Sequence, residues 1–256
     1  MWAPPLTWQD AVFLVIAGVA GGLTGSIAGL ASVATYPALL LVGLPPVAAN
    51  VTNTVAVVFN GVGSIWGSLP ELRGRTDWIR RIVPGAALGG VVGAALLLST
   101  PAESFEKLVP ILIGFAAVAI LIPRRAHAVD RSVPRSRWAV GGEIGAIFLI
   151  CIYGGYFGAA AGVLLLALLL RAGETLPHAS ADKNVILATS NVVAAAVFIV
   201  LAPVHWPAVL TLGLGCLVGS RLGPIVVRHA PATPLRVAIG LCGIALAVKL
   251  GVDAYR

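Results

Sequence analysis

Charged residues are scarce in this chain of 256 residues, at 11% of the sequence, whereas an average soluble domain holds about 25%. No Asp, Glu, Lys or Arg occurs from Ala11 to Pro70, and hydrophobic residues make up 59% of the chain. A helix needs about 20 apolar residues to cross a bilayer. The sequence therefore excludes a soluble domain and predicts a polytopic protein of the cell membrane.

Acidic residues are missing from the middle of the apolar runs, so neither a carboxylate proton relay nor a cation site is favoured. Cysteines are few and odd in number: Cys151, Cys216 and Cys242 lie inside apolar segments, which predicts buried, inert thiols. The four histidines show no metal-ligand spacing. We therefore expect neither a metal nor a cofactor.

Motifs of soluble enzymes are also lacking, because the chain has no P-loop, no nucleophile elbow and no H-E-x-x-H. The sequence thus does not predict an enzyme. The net charge of +7 does not indicate nucleic-acid binding, because the basic residues lie in short gaps between apolar runs, as membrane topology requires. The first ten residues contain no Lys or Arg, so a cleaved signal peptide is not expected.

The apolar runs are continuous rather than alternating, which predicts an all-α fold instead of a barrel. Each half of the chain holds five elements, and a basic linker at 123–141 joins the two membrane halves, 1–122 and 142–256. The predicted elements are 11–29, 31–43, 47–69, 80–99 and 105–122 in the first half, and 142–162, 163–172, 184–202, 207–227 and 235–251 in the second.

The second element of each half is too short to span a membrane, because about 13 residues rise roughly 20 Å against a hydrocarbon core of about 30 Å. We expect it to form a short or broken hairpin with the element before it. Arginines concentrate at 70–81, in the linker and at 221–236, which predicts that these segments are cytoplasmic. The two halves are then inverted relative to one another.

An internal repeat supports this arrangement. The spacing G-x-x-G-x-x-x-G recurs at Gly22, Gly25 and Gly29 and again at Gly155, Gly158 and Gly162. Asn53 and Asn60 recur as Asn184 and Asn191. In transporters, inverted repeats with interrupted helices place polar backbone groups near the midplane, where a solute binds. The sequence therefore predicts a transport site between the halves.

The glycines have two interpretations. Small residues four apart allow close helix packing, which accounts for one group of them: Gly85, Gly89, Gly93, Gly215, Gly219 and Gly223. At the predicted breaks, exposed backbone amides could instead face a ligand. The glycines and the serine of these breaks are Gly25, Ser26, Gly29, Gly158 and Gly162.

The asparagines are the stronger signal, because a carboxamide in lipid is unfavourable unless it is hydrogen bonded. Members of each pair lie seven residues apart, about two turns, on one helix face. They either bond neighbouring helices or line a substrate cavity. Nearby hydroxyls could join the same cavity: Thr52, Thr54, Ser64, Thr189 and Ser190.

Two charged residues lie close to the predicted membrane edge. Lys183 precedes Asn184 at the start of an apolar run, so we expect it to be interfacial and to snorkel, with anion attraction as the alternative. Glu143 opens the sixth predicted element, where a carboxylate suits a helix N-terminus, and it is the one acid with any prospect of carrying a proton.

Several motifs resemble the TauE/SafE family of sulfite exporters. They are G-L-T-G-S-I-A-G at 22–29, Tyr36-Pro37-Ala38-Leu39-Leu40, Gly43-Leu44-Pro45-Pro46 followed by Ala48, and Asn53-Thr54. The resemblance covers about residues 12–250. It implies transport of sulfite, organosulfonates or other small sulfur-containing or carboxylate anions.

The sequence thus predicts a secondary transporter or facilitator that moves a small anion by alternating access. An integral-membrane enzyme or an accessory subunit without transport activity is the alternative. The lipid bilayer and a small anion are the expected partners; the oligomeric state stays open, with a homodimer as one option.

Overall fold

A computed structural model of the chain describes residues 5–121 and 137–229, together with six helical positions between 241 and 252. Every regular element in these ranges is a helix. The helices are α1 (Trp8–Ala28), α2 (Ala31–Leu41), α3 (Pro46–Gly67), α4 (Leu69–Leu72), α5 (Thr76–Ser99), α6 (Ala102–Leu121), α7 (Arg137–Tyr156), α8 (Ala161–Arg171), α9 (Leu176–Leu201) and α10 (Trp206–His229). The predicted all-α fold is confirmed.

Four helices are long and apolar enough to cross a membrane: α1, α5, α9 and the segment Trp206–Ile225 of α10. Only 39–56% of each of these apolar windows is buried inside the protein. Their exposed side chains, such as Val200 at 79% exposure, therefore have lipid as their solvent. The protein is a multi-pass membrane protein, as predicted.

The start of α1 is fixed by a capping box. Thr7 accepts a hydrogen bond from the Asp10 backbone N–H at 3.2 Å, and the Asp10 carboxylate accepts one from the Thr7 backbone N–H at 3.0 Å. These reciprocal bonds satisfy two of the N–H groups that a helix start leaves unpaired. The helix ends at Gly29, which adopts a left-handed conformation with φ of 76° and donates its N–H to the Gly25 carbonyl at 2.7 Å.

The short second elements are confirmed. Both α2 and α8 contain 11 residues, which rise about 17 Å and cannot cross a bilayer alone. A left-handed glycine precedes each of them, Gly29 and Gly158, both with φ of 76°. Another follows each, Gly43 and Gly173, both with φ of 88°. By backbone conformation the counterpart of Gly29 is thus Gly158, and the predicted match of Gly29 with Gly162 is wrong.

Close helix packing explains most of the glycines assigned to it. α1 lies against α10, and neither Gly215 nor Gly219 has space for a Cβ beside the α1 backbone. α5 packs on α7 in the same way through Gly89 and Gly93. Gly85 is the exception, since a Cβ there would have open space among the described residues. Each half therefore packs its first helix against a helix of the other half.

Two predicted helix starts are wrong by five residues or more. α7 begins at Arg137, so the last residues of the predicted linker are helical and Glu143 lies inside the helix rather than at its start. α9 begins at Leu176 instead of 184, because Pro177 fits the first turn of a helix, where its missing N–H is not needed. Linker residues 123–136 and most of the last predicted element, 235–251, lie outside the described residues.

Candidate functional site

A small cavity lies where the two helix breaks meet α3 and α9. Its volume is about 30 Å³, enough for about two water molecules. The lining residues are Gly25, Gly29, Ala31, Ser32, Thr54, Val57, Asn60, Gly154, Phe157, Gly158, Leu187 and Asn191. Both halves of the chain contribute residues to it.

Five of the predicted site residues line this cavity: Gly25, Gly29, Asn60, Gly158 and Asn191. Gly25 leaves the space open, because a Cβ there would lie 2.9 Å from Asn60 Oδ1 and 2.7 Å from the Ala31 Cβ. The two asparagines come from equivalent positions of the two halves. The structure thus brings one carboxamide of each pair, and a left-handed glycine of each break, to one space.

Gly29 and Gly162 lie back to back, so close that neither has room for a side chain. Gly162 is on α8, one residue after its start, while Gly29 ends α1. The positive φ of Gly29 adds a second reason for glycine at that position. This contact joins the two helix breaks, which belong to different halves of the chain.

The other asparagine of each pair, Asn53 or Asn184, is not among the residues that line the cavity. Asn53 is 1% exposed; its Oδ1 accepts a hydrogen bond from the Thr35 hydroxyl at 2.5 Å, and its Nδ2 donates to Ser32 Oγ at 3.0 Å. Asn53 therefore fixes the orientation of Ser32, which does line the cavity. Asn184 donates its Nδ2 to Ser68 Oγ at 3.2 Å and joins α9 to the end of α3.

The secondary candidates with hydroxyls support the packing of helices. Thr52 is buried, and its oxygen accepts from the backbone N–H of His205 at 3.2 Å. Ser190 donates to the carbonyl of Cys151 at 3.2 Å. Ser64 and Thr189 donate to carbonyls of their own helices. Of the predicted hydroxyls, Thr54 is the one that reaches the cavity.

Lys183 is fully buried, so the prediction that it snorkels to the interface is wrong. Because α9 begins seven residues before Lys183, its side chain lies inside the protein instead of at a helix start. Its Nζ donates to the carbonyls of Gly25 at 3.0 Å and Ser26 at 2.8 Å. Ser26 points its own hydroxyl back to the Gly22 carbonyl at 3.0 Å. The Lys183 side chain thus caps the carbonyl end of α1.

A charged cluster that sequence reasoning missed lies next to this lysine. Arg75, between α4 and α5, donates to Asp182 at 2.9 Å and to Glu174 at 3.3 Å. Burial lowers the pKa of the Arg75 guanidinium, but its hydrogen bonds to the two carboxylates outweigh that effect and raise the pKa above its ordinary value. Asp182 is fully buried in the first turns of α9, ahead of the apolar run that begins at 184.

Asn50 was also missed, although it forms an Asn-x-x-Asn pattern with Asn53 that could have indicated it. It is fully buried, and its Nδ2 donates to the Tyr156 carbonyl at 2.8 Å. Its Oδ1 has no hydrogen-bond partner in the part of the chain that the structure describes. Asn50 links α3 to the end of α7, next to the cavity-lining Phe157.

The N-terminus of α2 opens at the cavity. Its first two residues, Ala31 and Ser32, are both lining residues. Leu30, which precedes them, provides no side-chain cap for the helix. First-turn N–H groups and the positive end of a helix dipole favour negative charge. The arrangement is chemically able to hold the oxygen atoms of a small anion.

Known proteins resemble this chain along its whole length. Residues 14–250 match the sulfite exporter TauE/SafE family. The chain is 28% identical to a probable membrane transporter protein of Haemophilus influenzae, covering 94% of both chains. It is 29% identical to a probable membrane transporter protein of a Sinorhizobium species, covering 97% of this chain and 95% of that one. It is 26% identical to a probable membrane transporter protein of Escherichia coli K12, covering 94% and 90%.

No solved structure matches the chain significantly. The family match nevertheless spans nearly every helix described above, and the three relatives are similar over at least nine-tenths of both chains. The chain therefore belongs to the TauE/SafE sulfite exporter family of membrane transporters.

Proposed function

We propose that this protein is a secondary transporter or facilitator that exports a small anion, such as sulfite, an organosulfonate or a related carboxylate. The observation that carries the proposal is the cavity shared by Asn60 and Asn191, one from each half, with the two left-handed glycines Gly29 and Gly158 beside them. Membership of a family named for sulfite export supports the choice of an anion.

The electrostatics of the cavity wall favour an anion. The N-terminus of α2 contributes Ala31 and Ser32, whose helix dipole is positive at that end. The negative end of α1 would oppose it, but Lys183 donates to the carbonyls there, including that of the lining residue Gly25. No acidic or basic side chain is among the lining residues. A site of this kind binds an anion through dipoles and releases it readily.

Transport would follow from the relation between the halves. In the proposed inverted repeat, α2 and α8 are equivalent short elements, and the Gly29–Gly162 contact joins the end of α1 to the start of α8. One repeat would rock against the other about a site near the membrane midplane, and this motion would expose the anion to each side of the membrane in turn. The equal lengths of α2 and α8 and their matching left-handed glycines support this repeat.

Flux measurements in liposomes test the proposal directly. Purified protein would be reconstituted, and the movement of radiolabelled sulfite, organosulfonates and small carboxylates would be followed with and without proton and sodium gradients. We expect saturable flux of at least one anion. Absence of flux for every anion, from correctly folded protein, would contradict the proposal.

Variants then test the site. We expect Asn60→Leu and Asn191→Leu each to abolish flux while the protein stays folded, because each removes a carboxamide from the cavity. Matched controls are Val62→Leu and Val192→Leu, which change exposed neighbours on the same helices, at 55% and 48% exposure. Unchanged kinetics in both asparagine variants would contradict the assignment of the site.

A further inference from the structure

The hydrogen-bonding groups of the cavity are not all donors. Ser32 can donate: its Oγ already accepts from Asn53 Nδ2 at 3.0 Å, which leaves its own proton for a ligand. The backbone N–H groups of Ala31 and Ser32, the first two residues of α2, are further donors. An anion made only of oxygen acceptors would satisfy this side of the cavity.

Thr54 presents the opposite chemistry. Its hydroxyl donates to the Asn50 carbonyl at 3.0 Å, and Thr54 is only 5% exposed. A hydroxyl has a single proton, so the proton of Thr54 is committed within α3. What Thr54 offers to a molecule in the cavity is therefore a lone pair, which requires a donor.

Asn60 adds a second acceptor. Its Oδ1 is buried and has no hydrogen-bond partner among the described residues. Rotating the carboxamide by half a turn exchanges its oxygen and nitrogen, yet the group still presents one acceptor and one donor. In either orientation the cavity contains an acceptor on Asn60 that the protein itself does not satisfy.

We propose that the transported anion carries a hydrogen-bond donor of its own, as a monoprotonated oxyanion or an anion with a hydroxyl group does. This inference rests on the proposed function and specifies its substrate class. The anionic oxygens would lie toward Ser32 and the α2 N-terminus, and the O–H would point to Thr54 or Asn60. A fully deprotonated anion without a donor would face those acceptors with lone pairs, leaving both unsatisfied.

Isosteric pairs of anions test the proposal in liposomes at one fixed pH. Glycolate and propionate have equal numbers of non-hydrogen atoms, but glycolate alone carries a hydroxyl; isethionate and propanesulfonate form the same contrast among sulfonates. We expect flux, or inhibition of sulfite flux, to favour the hydroxyl-bearing member by about tenfold or more, because a site built to bond a hydroxyl rejects an analogue that lacks it.

The variant Thr54→Val removes the acceptor while keeping the branched shape, and Thr54→Ser is the matched control that keeps the acceptor. We expect the preference for the hydroxyl-bearing anion to fall at least about threefold in Thr54→Val and to persist in Thr54→Ser. The comparison of anion pairs with the unmodified protein needs no variant, so it holds even if Thr54→Val fails to fold.

The outcomes separate the two proposals. Equal handling of both members of each pair, with saturable flux of some anion, would overturn the donor requirement and leave anion transport standing. A preference that survives in folded Thr54→Val would overturn the role of Thr54. Absence of flux for every anion, sulfite included, would overturn the proposed function itself.

Discussion

Lys183, near the start of α9, donates a 2.8 Å hydrogen bond to the carbonyl oxygen of Ser26, near the end of α1. The two residues are 157 positions apart in the sequence, and both are fully buried. The bond therefore ties the helix break of the first half to the first turns of a long helix in the second half. Carbonyls at a helix end need such a partner when water is excluded.

Removing the Lys183 amino group should destabilise the protein. In Lys183→Met the carbonyls of Gly25 and Ser26 each lose one donor, but Gly25 keeps the Gly29 N–H and Ser26 keeps the Ser180 hydroxyl, so the expected cost is about 0.5–1.5 kcal/mol. We expect a lower midpoint of thermal unfolding in detergent. Lys107→Met is the matched control, because that lysine is exposed on α6. Equal midpoints for Lys183→Met and the unmodified protein would show that the bond does not contribute.

Arg75 and Asp182 should behave as a coupled pair. Asp182 is fully buried, and removing one partner of a buried ion pair costs about 3–5 kcal/mol because it leaves an uncompensated charge. We expect Arg75→Gln to be strongly destabilised, Asp182→Asn less so because Arg75 keeps its ion pair with Glu174, and the double variant to be destabilised by less than the sum of the two. Unfolding of the four proteins gives the coupling energy. Arg73→Gln, at an exposed position, is the control. If the free-energy changes of the two single variants add up to that of the double variant, the two residues are not coupled.

Gly29→Ala should prevent correct folding. The new Cβ would overlap the Gly162 backbone, and the left-handed φ of 76° is strained for alanine. We expect loss of monodisperse protein on size-exclusion chromatography. Gly85→Ala provides the contrast, since that position has open space among the described residues and alanine favours a helix by about 1 kcal/mol. Normal yield and stability of Gly29→Ala would contradict the backbone contact.

Gly25→Ala should instead impair transport in a folded protein. Its Cβ would meet Asn60 Oδ1 at 2.9 Å and the Ala31 Cβ at 2.7 Å, so the cavity would be partly filled. The Asn60 carboxamide can rotate away, but the Ala31 Cβ is fixed to its backbone, so α2 must also shift slightly; Gly29 differs in that its new Cβ would overlap backbone atoms of Gly162 directly. We expect the apparent affinity for the transported anion to fall about tenfold, equivalent to about 1.4 kcal/mol. A concentration series of liposome flux measures it, and an unchanged half-saturation concentration would rule out this position as cavity wall.

Hydropathy and glycine spacing predicted the helices and both breaks. An apolar segment in lipid must satisfy its backbone hydrogen bonds internally, so it forms a helix. The recurring asparagine pairs indicated either a substrate cavity or hydrogen bonds between helices, for all four residues alike. They could not distinguish Asn53 from Asn60, which occupy the same face of α3. The difference is that Asn53 meets Ser32 and Thr35 of α2, whereas Oδ1 of Asn60 meets no partner in the described ranges.

Lys183 shows where sequence reasoning stops. A lysine and an aspartate just before an apolar run are typical of a residue pair at the membrane boundary. The sequence does not show that α9 begins earlier, at Leu176, which places Lys183 in the protein interior. Its partners are carbonyls of α1, and any residue has a carbonyl, so no side chain in the sequence marks them. For the same reason the pairing of Arg75 with Asp182 could not be distinguished from ordinary topology charges.

The packing of α1 against α10 has a consequence for biosynthesis. Gly22 of α1 has its close neighbour in Cys216 of α10, 194 residues later in the chain. At about 5–20 residues per second, a ribosome needs roughly 10–40 s to make that stretch. During this interval the face of α1 that carries its small residues is not yet packed against α10. A half expressed without the other would keep a face of small residues with no helix packed against it. We therefore expect that both halves must be present in the membrane before either reaches its final structure.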